Sequence, residues 1–114
     1  MNDTDTQNRL LARYSALTLP ERAVFLANLG EWLTFVGRDT YDPKGGLTNP
    51  ERLRGINEAQ HRILEQLSHM LAYQRYVYPD DAFAGLLIEI FCNSGIDPAS
   101  MLRFLPEQRH PPHR

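Results

Sequence analysis

Cys92 is the only cysteine in the chain, so no internal disulfide can form, and a reducing compartment is the expected setting. Charge of one sign is also missing: 12 basic and 14 acidic residues are spread along 114 positions for a formal charge of −2. That balance gives no basic field to hold a polyanion, and nucleic acid is not an expected partner. The longest apolar run, Ala82 to Cys92, is interrupted by Glu89. It is about half of the roughly 20 residues that a membrane span requires. The start, MNDTDTQNRLLARY, is polar and acidic where a secretory signal would be basic and then apolar. A cytoplasmic chain with no membrane partner is expected. Phosphate-cradling glycine loops, Gly-x-Ser-x-Gly elbows and Cys-x-x-Cys pairs are all lacking, so no cofactor and no hydrolytic catalysis is expected.

Sustained two-residue alternation is lacking as well, whereas apolar residues recur at three- and four-residue spacing throughout. The pattern predicts an all-α protein: a compact four-helix bundle with a short fifth C-terminal helix. Residues 1–106 form one helical domain in this reading, and 107–114 form a flexible C-terminal tail. A first helix is expected after Asp3–Asp5, running to about Ala16, with Leu10, Leu11, Tyr14 and Leu17 inward. Thr18 and Glu21 make a capping box around Pro20 and start a second helix through Phe25, Leu26, Leu29, Trp32, Leu33 and Val36. Thr48, Pro50 and Glu51 repeat the signal for a third helix reaching as far as Tyr76. Asp80 and Asp81 open a fourth, which stops at Gly95, and Asp97–Pro98 begins the short last one.

On the third helix, about 100° per residue places Leu53, Ile56, Gln60, Ile63, Leu64, Leu67, Met70 and Leu71 on one arc, read as the core face. Glu58, Arg62, Glu65 and His69 fall opposite, with His61 on the flank. Four-apart ion pairs on a solvated face account for this set. Gln60 interrupts the arc where an aliphatic residue would pack better, so it is expected either to make a polar contact that fixes helix register or a homodimer interface, or to sit at an edge bonded to a loop or water. Gly30, Gly55 and Gly85 sit inside helices where alanine would be favoured by about 1 kcal/mol each, so close helix crossings are expected there. Cys92 is expected to be buried as a small apolar residue.

Two catalytic or ligand-binding alternatives come from the same helix. Glu58 and His61 form a Glu-x-x-His pair, the half-motif of carboxylate-bridged metal bundles, which with Glu65 would make a metal-binding helical bundle. The stretch RGINEAQH, Arg54 to His61, resembles the Arg-x(4–6)-His motif of HEPN-type ribonucleases, which are small helical bundles that dimerise to build their site. The resemblance implies His61 as proton carrier and Arg54 as phosphate clamp in RNA cleavage. Arg62 to His69 fits the same spacing.

The expected function is a non-catalytic protein-interaction or regulatory module that self-associates as a homodimer. Tyr73, Arg75, Tyr76 and Tyr78 are the expected partner-binding residues, since tyrosine and arginine are enriched at interfaces. Arg54, Glu58, His61, Glu65 and His69 form the alternative polar site.

Overall fold

The Thr18–Glu21 box forms as read. Glu21 accepts from the Thr18 amide at 2.9 Å, and Thr18 Oγ1 accepts from the Glu21 amide at 3.3 Å. A computed structural model describes residues 3–42, 46–47 and 50–106. It is an all-α bundle: α1 (Asp3–Ser15), α2 (Leu19–Thr40), α3 (Pro50–Tyr73), α4 (Asp80–Asn93) and a short 3₁₀ helix (Pro98–Phe104). Between α2 and α3, β1 (Tyr41–Asp42) and β2 (Gly46–Leu47) pair antiparallel, Tyr41 with Leu47 and Asp42 with Gly46. Thr48, the expected cap of α3, and the tail 107–114 lie outside the described residues. No described helix is long and apolar enough to cross a membrane.

α2 and α3 form the most extensive helix pair; α4 packs against both α1 and α3, and the 3₁₀ helix touches α1, α2 and α4. The core is Leu10 and Tyr14 of α1, Phe25, Leu26, Leu29 and Leu33 of α2, Ile56, Ile63 and Met70 of α3, and Phe83, Leu87 and Phe91 of α4. Side chains of this size each gain about 1.5–3 kcal/mol on full burial, which makes this cluster the main source of cohesion. Gly95 takes φ +70°, closing α4 in the left-handed conformation that a residue without Cβ adopts freely. Asp97 then accepts from the Ala99 amide at 3.0 Å and starts the 3₁₀ helix. Arg13 donates to the Pro106 carbonyl at 3.0 Å and fastens the end of the described chain to α1.

Three expectations about faces are corrected. Leu64 and Leu71 are 61% and 63% exposed, while Ala59 and Gln66 are buried in their place. The apolar arc of α3 is wider than its neighbours cover: α2 and α4 take the Ile56–Ala59–Ile63–Gln66–Met70 side and leave the Leu64–Leu71 shoulder open. Cys92 is exposed, because Ile90 and Phe91 turn inward and leave it on the outer side of α4 with Glu89 and Asn93. Of the three glycines expected at close crossings, Gly55 alone meets a neighbour that excludes a methyl group, since a Cβ there would overlap the Ser94 hydroxyl. A Cβ at Gly30 would meet Ile63 at an ordinary 3.8 Å.

Candidate interaction surfaces

Arg22 lies in the apolar phase of α2, three residues before Phe25 and four before Leu26, and is 7% exposed. Its guanidinium donates twice to Asp80 of α4, at 2.8 and 2.9 Å. It also donates to the carbonyls of Leu17 and Ser15, each at 3.3 Å. The Tyr14 and Tyr76 rings lie 4.6 and 5.0 Å from its central carbon, so the planar cation contacts an aromatic ring of α1 and another of the α3–α4 connection. Burial works against the Arg22 charge, but the Asp80 carboxylate outweighs it and the pKa moves upward. The Tyr14 hydroxyl is buried near the Gln66 amide without a hydrogen bond of adequate geometry. Burial pushes its pKa up to about 12, against the opposing pull of Arg22.

The expected partner-binding residues divide at this end of the bundle. Tyr78 is fixed: its backbone amide donates to Gln66 Oε1 at 2.9 Å, and its carbonyl accepts from Gln66 Nε2 at 3.0 Å. Its ring stacks on Phe83 at 5.7 Å. The Tyr78 hydroxyl donates to Glu65 and accepts from Arg62 at 2.8 Å. Burial and the Glu65 hydrogen bond both raise the Tyr78 pKa. Tyr76 lays its ring over Arg22 and, like Tyr73 and Arg75, is exposed. Gln74, at φ 55°, turns the chain just beyond α3.

The five alternative polar residues do not converge on one site, although Arg54 and Glu58 share a hollow and His69 bonds the Glu65 backbone. Glu58 pairs with Arg62 at 3.7 Å, and His69 Nδ1 donates to the Glu65 carbonyl at 3.0 Å and packs against the Tyr73 ring. His61 is exposed on the other flank. Arg54 lines a hollow of about 190 Å³ with Glu51, Glu58 and Glu89, three carboxylates that repel a phosphate. Among the described residues, no group of three or more His, Cys, Asp or Glu is arranged to hold a metal ion.

The second surface is the open side of the α2–α3 pair. Gln60 Nε2 donates to the Gly30 carbonyl at 3.1 Å and to Thr34 Oγ1 at 2.9 Å, which satisfies the polar interruption of the arc and sets the register of the two helices. Beside it a groove of about 360 Å³ runs between Ala27, Gly30 and Glu31 of α2 and Gln60, Leu64 and Leu67 of α3. Leu71 continues the α3 ridge about two turns beyond Leu64, and Val24, 59% exposed, continues the α2 side. Sequence reasoning assigned Leu64 and Leu71 to the core and so missed this face. The available signal was an aliphatic arc that spans about a third of the α3 wheel, of which the neighbouring helices bury only one side.

Compared with protein-family models, curated proteins and solved structures, the chain gives no match.

Proposed function

We propose that the chain is a non-catalytic protein-interaction module that associates with itself through the open α2–α3 face. The carrying observation is the surplus of apolar surface on α3: Leu64 and Leu71 are more than half exposed beside a groove floored by small residues. Water contact at several large aliphatic side chains in one strip is unfavourable, and a contiguous apolar strip on a small domain is the usual mark of a partner surface. The polar side chains support the same reading. Arg22, Gln66, Tyr78 and Glu65 are engaged in holding helix ends together, while Arg54 faces the carboxylates of Glu51, Glu58 and Glu89 and His61 stands exposed on another flank. Tyr73, the last residue of α3, and Arg75 just after it are exposed at this end of the bundle.

An NMR dilution series tests this directly. Amide signals of Val24, Ala27, Leu64, Leu67 and Leu71 are expected to move together with protein concentration, while those of Cys92 and Asn93 on the outer side of α4 stay fixed. Signals that stay constant across the α2–α3 face at all concentrations would contradict the proposal.

A further inference from the structure

The register between α2 and α3 fixes which residues of the open face stand at the same height. Gln60 bonds Gly30 and Thr34, Gly30 faces Ile63, and Gly37 faces Leu53 and Ile56. Continuing that antiparallel register puts Leu64 level with Ala27 and Asn28, and His61 level with Glu31. Across the face there are then two strips: a ridge of Leu64 and Leu71 on α3, and a hollow over Ala27 and Gly30 on α2. The hollow is real space, because a Cβ built at Gly30 meets nothing within 4 Å except Ile63. Leu64 and the hollow lie side by side at matching height, so the face carries both halves of a knob-and-hole contact.

From this, and resting on the self-association reading above, we infer that the occupant of the groove is a second copy of the chain. The two copies are related by a two-fold axis parallel to α3, with Leu64 of each over Ala27 and Gly30 of the other. An axis in this direction preserves height while exchanging ridge for hollow. An axis across the helices would instead stack ridge on ridge and leave the hollows empty, and interiors do not tolerate such voids. The rim agrees in hydrogen bonding. His61 on the outer flank of α3 and Glu31 at the edge of the groove are both exposed, and neither has an ion-pair partner among the described residues. In the parallel arrangement each His61 ring faces the other copy's Glu31 carboxylate, and an imidazole N–H can donate to it. Two such pairs flank the apolar centre, the order of polar rim and apolar middle found in stable interfaces.

Cross-linking in a Cys92→Ser background tests the arrangement. A chain carrying Glu31→Cys is mixed with one carrying His61→Cys and oxidised, and the disulfide-joined peptides are identified by mass spectrometry after digestion. The mixed 31–61 disulfide is expected to dominate over 31–31 and 61–61 products. Leu64→Asp, at a site exposed in the single copy, is expected to weaken dimerisation at least about 100-fold because the two-fold repeats the change. Its helical circular dichroism should stay unchanged. A dimer that forms no 31–61 disulfide would overturn this arrangement and leave self-association standing. A chain that remains monomeric at every concentration would overturn both.

Discussion

At the residue scale the side chain that organises the bundle end is Arg22. A cation buried among Phe25, Leu26 and Tyr14 is tolerated because two carboxylate oxygens and two carbonyls accept from it while aromatic rings cover its plane. Replacing it with methionine keeps the stem but leaves Asp80 and two helix-end carbonyls without their donor. Arg22→Met is expected to cost about 3 kcal/mol in urea unfolding, against less than about 0.5 kcal/mol for the exposed Arg9→Met. Equal effects would contradict the role given to Arg22. Tyr14 supplies a pH dependence. Its pKa is about 12 in the fold against an ordinary value near 10, so the fold favours the neutral phenol. The stability this contributes is present below pH 10 and is lost as pH rises toward 12. Wild type should therefore lose more stability between pH 8 and pH 11.5 than Tyr14→Phe does, and parallel losses would contradict the burial argument. None of this network was legible beforehand. Asp80 was readable as a first-turn acid, but its pairing with Arg22 depends on α1, α2 and α4 meeting at one end, and helical spacing carries no information about separations of 58 residues.

At the scale of elements, caps and breakers were legible because they act within four residues. Thr18 with Glu21, Asp97 with Ala99 and Gly95 after α4 all stand where local chemistry puts them. The inward faces were legible only in part, because a wheel shows that an arc is apolar but not how many neighbours cover it. Leu64 was assigned to the core on that ground, and Gln66, buried between Tyr14 and the Tyr78 backbone, was not assigned there at all. The helix glycines separate in the same way. Gly55→Ala is expected to destabilise by about 1–3 kcal/mol through overlap with Ser94, which is itself buried and bonded to the Ile90 carbonyl. Gly30→Ala is expected to stabilise the single copy by up to about 1 kcal/mol, because only an ordinary contact with Ile63 opposes the gain in helix propensity. Thermal melts of the two variants at low concentration would show opposite shifts, and shifts of the same sign would contradict the packing described.

For the whole molecule, the all-α architecture followed from periodicity over 114 residues, while the candidate site did not, because it is defined by what the bundle leaves uncovered. Four helices and a 3₁₀ turn enclose one core and leave an aliphatic ridge beside a small-residue hollow on the α2–α3 side. The polar residues first read as a possible catalytic or metal set are dispersed, some engaged in structural hydrogen bonds and others solvated. Sedimentation equilibrium of wild type and Leu64→Asp, across a hundredfold range of concentration, tests the central claim most directly. The account predicts that wild type passes from monomer to dimer mass as concentration rises, while Leu64→Asp stays monomeric with the same helical content. Dimerisation undiminished in Leu64→Asp, or wild type holding monomer mass throughout, would contradict it.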